Sequence, residues 1–253
     1  FVVMGILAGI GLVSHENALF RIGYLAGGAL IANAVVLTQS RGAFLGIAAA
    51  GASALVIADR RFRKYILLLL PIVALGGYRV TDEKFRERMT TIVADDGERD
   101  ASADNRLILW RGAWEMFKDH PLGVGVGNFY STIGSYRFEL AGRDTHSTYM
   151  RCLSELGVFG MAAMLALFVN AFRTLRWCQR AAAELPDGRE LVHTAIGLQL
   201  ALIAFGTCGL MITMTYCEEL FIFLLLPVCC CRAVLHAQRE RAHSSETAGS
   251  IAG

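Results

Sequence analysis

The sequence predicts an all-α integral membrane protein, a multi-pass bundle of transmembrane helices with one long, partly helical loop outside the membrane. Three observations predict it. Hydrophobic residues make up 55 % of the 253 and charged residues only 18 %, an apolar excess beyond that of ordinary soluble domains. The apolar residues fall in runs approaching the ~20 residues that cross a bilayer. One polar stretch, from Val80 to about Thr145, divides these runs into two sets. The chain opens at Phe1 inside an apolar run, without Met or a basic leader, and so reads as the C-terminal part of a longer protein.

In chain order the candidate spans are Phe1–Val13 (truncated), Ile22–Thr38, Ala43–Ala58 and Tyr65–Tyr78, then Thr148–Phe172, Leu191–Met214 and Leu220–Leu235. The organisation expected is four spans in 1–79, an outer loop in 80–147, three spans in 148–236 and a disordered tail in 237–253. Seven cysteines form no CxxC pair and sit mostly in apolar runs, where they read as small buried hydrophobes.

Basic residues in short loops mark the cytoplasmic side. The segment "DRRFRK" (59–64) is the strongest such marker. Alternation from it puts Arg173, Arg176, Arg180 and Arg189 on the same side, with the tail arginines Arg232, Arg239 and Arg241. The turn "TYCEEL" (215–220), which has no basic residue, falls outside, with "QSRG" (39–42) and the 80–145 insertion.

Within that insertion "DDGERDASADN" (95–105) reads as mobile loop. A helix over about 104–118 follows, capped by Asp104 or Asn105 and closed by Pro121. Leu107, Leu109, Trp110, Ala113, Trp114, Met116 and Phe117 are expected on its apolar face, and Arg111, Glu115 and Lys118 on the opposite one. Such a helix suits the membrane interface. Arg106 interrupts the apolar face. It is either a first-turn arginine snorkelling to water or a guanidinium held to bind a planar anion. "PLGVGVGNF" (121–129) has glycines at alternate positions but no Walker A or GxGxxG spacing, and reads as a turn of close backbone approach.

In "DTHSTYMRCLSELGVFG" (144–160), His146 precedes a helix whose N-cap is Ser147 or Thr148. Histidine suits general-base work near neutral pH; the alternative is an interfacial loop histidine or a hydrogen-bonding brace. Arg151 and Glu155, at i and i+4, share a face continued by Val158, Ala162 and Ala166, which is expected to pack inside the bundle. Glu155 then supports an arginine, Arg151 or one of the outer set. The other five histidines read as structural or solvated.

Three segments, "LTQSRGAFLGI" (37–47), "RLILWRGAWEMFKDHPLGVGVGNF" (106–129) and "HSTYMRCLSELGVFG" (146–160), together resemble the core of the O-antigen ligase and polymerase-related membrane proteins. Ser147 departs from the asparagine that follows the histidine in that family's pattern. The resemblance implies a GT-C-like fold in the bacterial inner membrane and a metal-independent glycosyltransferase facing the periplasm. Its donor would be a glycan on an undecaprenyl-diphosphate carrier. Its acceptor would be lipid A–core in a ligase, a second carrier-bound glycan in a polymerase, or a protein hydroxyl. It assigns Arg41 and Arg106 to the diphosphate and His146 to the essential base. Arg151 is a further phosphate-contact candidate that the resemblance does not require; Glu155, Tyr149 and Trp110 are support.

No DxD occurs in the sequence, and two arginines meet the leaving group's charge with fewer assumptions than a metal. No metal, cofactor or nucleic acid is expected, and membrane lipids are. A different class stays open: a transporter whose outer arginines only bind an anionic lipid.

Overall fold

The computed structural model describes residues 17–38, 40–57, 63 and 101–251. The expected spans Phe1–Val13 and Tyr65–Tyr78, most of the basic segment 59–64 and the loop from 80 to 100 lie outside the described residues. All the regular structure among those described is helical. Seven α-helices are α1 Ala18–Leu37, α2 Arg41–Ile57, α3 Ala101–Asp119, α4 Phe129–Tyr136, α5 Thr148–Ala183, α6 Arg189–Cys208 and α7 Glu218–Ile251. Four of them, α1, α5, α6 and α7, are long and apolar enough to cross a membrane, and α2 is a shorter apolar helix. This is a membrane protein built as an all-α bundle.

The bundle core lies between α5, α6 and α7, where Leu175, Cys178, Ala195, Leu198 and Val234 are buried together. Helix α2 packs along α6 through a row of small residues. Gly42 and Gly46 are buried, as are Ala50 and Ala54. Spacing by four puts them on one stripe, and their size lets two backbones approach, the usual basis of helix association in lipid. At Gly46 a Cβ would stand 2.5 Å from Cys208 Sγ. Along α1 the side chains of Leu19, Phe20, Ile22, Leu25 and Leu30 point outward, a surface suited to hydrocarbon.

Outside the bundle, α3 and α4 form a small unit. Leu109, Ala113 and Met116 of α3 are buried against Phe129, Ile133 and Leu140, with Met150 of α5 packed beneath them. The buried stripe of α3 is narrower than the apolar arc expected. Leu107 and Trp114 are exposed, because at 100° per residue they fall on the side of Arg111 and Lys118. The helix also starts at Ala101, ahead of the Asp104 or Asn105 cap expected, since Ala101 and Ala103 are strong helix formers.

Two further expectations are revised. The tail continues as helix to Ile251 instead of dissolving after 236. Helix-favouring residues in "LHAQRERA" carry α7 outward, and Arg241 donates to the Glu184 carbonyl just past α5, at 2.7 Å. Val158, Ala162 and Ala166 are exposed and do not continue the face of Arg151 and Glu155. The reason is a break at Gly157 (φ 64, ψ −160) inside α5, which resets the helical register. Beyond it, Met164, Ala171, Leu175 and Cys178 carry the buried face.

Candidate active site at one end of the bundle

One end of the bundle gathers the start of α2, the end of α6, the start of α7, helix α3 and the entrance of α5. The entrance is tightly bound. Ser147 caps α5, its hydroxyl accepting from Met150 N at 3.4 Å. Thr148 N donates to the carbonyls of Gly209 and Ile212 at 2.8 and 2.9 Å. Its hydroxyl donates to the Ile212 carbonyl at 2.7 Å and accepts from Met214 N at 2.9 Å. Tyr149 OH donates to the Gly206 carbonyl at 2.7 Å. Trp110 Nε1 donates to the Thr145 carbonyl at 2.9 Å, fixing α3 to the residue before His146.

His146 stands on this frame in the left-handed region, φ 50, the one residue other than glycine with positive φ among those described. Such backbone costs of order 1–3 kcal/mol and persists where its surroundings hold it. Its backbone N–H points at Asp144 Oδ2, 3.4 Å away. The ring is half exposed, with Nδ1 3.9 Å from the same oxygen. An accessible imidazole on a rigid frame is the arrangement a base needs.

Beneath the histidine lies a buried polar network. Arg151 Nη1 donates to Asp144 Oδ1 at 3.0 Å, and Nε lies 2.7 Å from Glu155 Oε1. The Nε–H does not point along that second contact, so it is an ion pair without a hydrogen bond. The guanidinium lies over the Tyr130 ring, 4.1 Å from its centroid. Glu155, 1 % exposed, accepts at Oε1 from Phe129 N (2.9 Å) and at Oε2 from Tyr216 OH (2.6 Å). Helix α4 has no side-chain cap from its own Asn128, so Glu155 serves one of its free N–H groups from across the fold. Burial, and then the hydrogen bond to Glu155, raise the Tyr216 phenol above its ordinary pKa.

The break at Gly157 explains the alternate glycines of "PLGVGVGNF". It frees backbone groups that an unbroken helix would pair, and the glycine loop pairs them. Val124 N donates to the Ser154 carbonyl (3.0 Å), Gly125 N to the Glu155 carbonyl (2.9 Å), and Val158 N to the Pro121 carbonyl (2.9 Å). Gly123, Gly125 and Gly127 all have positive φ. A Cβ on Gly123 would stand 2.3 Å from the Glu155 carbonyl oxygen. We expect Gly123→Ala to lower stability by at least the ~1–3 kcal/mol of a forced left-handed residue. Thermal unfolding followed by tryptophan fluorescence checks this; an unchanged midpoint contradicts the close approach.

Arg106 is half buried, and the polar atom its Nη1 meets is Met211 Sδ, at 3.9 Å. Among the described residues no carboxylate pairs with it. Met211 also touches the start of α2, where a Cβ on Gly42 would stand 3.0 Å from Met211 Cβ. Arg41 is the first residue of α2, one position before Gly42 in the sequence. The Arg41 side chain lies outside the described part of the structure. Among the described residues no three His, Cys, Asp or Glu side chains gather as metal ligands.

A family model described as O-antigen ligase matches residues 26–165, more than half of the chain, and covers the site's parts from α2, α3, α4 and the entrance of α5 but not those from α6, α7 and the turn between them. The chain belongs to the O-antigen ligase family. Membership makes it a membrane enzyme of the O-antigen ligase and polymerase type, acting in glycosyl transfer. No curated protein matches the sequence. In this family member, sequence reasoning missed Asp144, Tyr130 and Tyr216. The first two join the site through Arg151, and Tyr216 arrives from a turn 61 residues beyond Glu155; no local spacing signals the two tyrosines.

Proposed function

We propose that the protein transfers a glycan from an undecaprenyl-diphosphate carrier to an acceptor hydroxyl at the periplasmic face of the bacterial inner membrane, with lipid A–core as acceptor. The observation that carries this reading is Arg106: a half-buried guanidinium with no carboxylate partner among the described residues, beside the start of α2. A guanidinium at a partly dry site is matched to phosphate oxygens. The N-terminal end of α2 adds the positive end of its dipole to the same region.

In the proposed step, the acceptor O–H gives its proton to His146 Nε2 as its oxygen attacks the anomeric carbon. The bond from that carbon to the carrier phosphate oxygen breaks, and the diphosphate leaves with the electron pair. Arg41 and Arg106 hold the charge that develops on it. The sequence pattern of basic residues supports the periplasmic orientation, and the arginine pair supports transfer without a metal.

Purified protein in liposomes, given a carrier-linked glycan with lipid A–core, a second carrier-bound glycan and a hydroxylated peptide as competing acceptors, tests the reading. We expect transfer to lipid A–core, undiminished by chelator. Transfer to the second carrier instead would make the protein a polymerase; transfer to the peptide, a protein O-glycan transferase. Carrier export without any transfer would make it a transporter. Arg106→Ala should weaken carrier binding about tenfold or more, as expected for loss of a charged hydrogen bond worth roughly 1.5–3 kcal/mol. Unchanged binding would remove Arg106 from the diphosphate site.

A further inference from the structure

We propose that Asp144 is the positioning residue of His146: anchored by the buried Arg151, its carboxylate holds the imidazole with the proton on Nδ1 and leaves Nε2 free for the acceptor hydroxyl. The inference rests on the proposed role of His146 as base. Four groups converge on this one carboxylate. Arg151 Nη1 donates to Oδ1 at 3.0 Å and Tyr130 OH approaches the same oxygen at 3.4 Å. The backbone N–H of His146 faces Oδ2 at 3.4 Å, and its Nδ1 stands 3.9 Å from that atom.

The two oxygens therefore have separate duties. Oδ1 faces Arg151, whose guanidinium is fixed by Glu155 below and by the Tyr130 ring, so the carboxylate cannot swing freely. Oδ2 is left facing the histidine. At 3.9 Å the imidazole is beyond hydrogen-bond reach, and a small rotation of the half-exposed ring closes the gap. Tightening of this kind on substrate binding is common where the free enzyme holds a catalytic contact loosely.

Backbone geometry supports the pairing. The left-handed φ of His146 swings its ring to the same side as its own N–H, and both face the side chain two residues earlier, an arrangement Asp readily closes. A carboxylate is acceptor only, so the neutral imidazole it faces must donate from Nδ1. Nε2 is then the lone-pair nitrogen. When the acceptor proton moves to Nε2, the resulting imidazolium stays beside a negative charge. Arg151 and Glu155 touch neither proton; they hold the group that holds the base.

The discriminating variant is Asp144→Asn. Arg151 offers only donors, so it takes the amide oxygen, and the amide NH2 is left facing His146. A donor there requires Nδ1 to carry the lone pair and moves the proton to Nε2. Nitrogen-15 NMR of histidine-labelled protein, with His146 assigned by its loss in His146→Asn, reads the tautomer directly. We expect the Nδ1–H form in the unaltered protein and the Nε2–H form in Asp144→Asn. The same variant should lose about 10²–10⁴-fold in kcat, the range of a general base, with donor KM changed less than about threefold. Added to His146→Asn, it should cost nothing further.

An Nε2–H tautomer in the unaltered protein, or one unmoved by Asp144→Asn, overturns the proposal. So does a further large loss in the double variant, which would mean that Asp144 acts apart from the histidine. Full transfer by His146→Asn instead overturns the underlying base role, whatever the tautomer.

Discussion

Replacement of Glu155 by alanine should unfold the site before it alters any chemistry. The carboxylate is buried, pairs with the Arg151 side chain, and accepts from Phe129 N and Tyr216 OH. Removing one partner of a buried charge pair typically costs about 3–5 kcal/mol, because the other charge is left in a dry place. Asp144 still offsets part of the Arg151 charge, which places the expected loss toward the lower end. Two neutral donors also lose their acceptor. The expected result is a fall in the thermal midpoint together with protease cleavage within 121–128, since the glycine loop loses its link from α5 to α4. Glu155→Gln keeps acceptor capacity without the charge and should fall between. A midpoint in Glu155→Ala equal to that of the unaltered protein would refute this account of the network.

The second large effect is confined to chemistry. His146→Ala is expected to reduce transfer by about 10²–10⁴-fold, the contribution of a positioned general base, while carrier binding and the thermal midpoint hold. The separation from Glu155 follows from exposure: the His146 side chain is half exposed and supports no buried group. His146→Asn sharpens the measurement. Asparagine tolerates left-handed backbone better than most residues, so it retains the turn at φ 50 and removes only the imidazole. Undiminished transfer in a folded His146→Asn protein would remove the histidine as base.

Much of the bundle was legible because hydrophobic run length is a local property. The apolar runs after His146 become α5, α6 and α7, and Ser147 is the cap of α5. Helical spacing also joined Arg151 to Glu155. It then failed at the next turn, since periodicity assumes an unbroken helix and Gly157 breaks this one. A lone glycine in an apolar run does not announce a break. Its meaning comes from Pro121, Leu122 and Gly123, which fill the space a side chain would need. The glycine loop shows the complementary limit: its alternate glycines signalled close backbone approach, and only the fold supplied the partner. Asp144 stood in plain view two residues before the histidine. Its significance depended on Arg151 being turned back toward it.

The break in α5 also draws a waterline on the molecule. Before Gly157 come the charged pair and the carbonyls that borrow partners from the loop; immediately after it Val158 and Phe159 face outward. Backbone groups needing outside partners and bare aliphatic surface belong to different solvents. The stretch from Val158 to Ala183 is long enough to cross hydrocarbon unaided, and with that stretch in the membrane the first turns of α5 would stand clear of it as a pedestal. On the proposed function, a carrier's polyprenyl tail would lie below that line and its phosphates above it. A single glycine would then set the depth at which a greasy substrate is read.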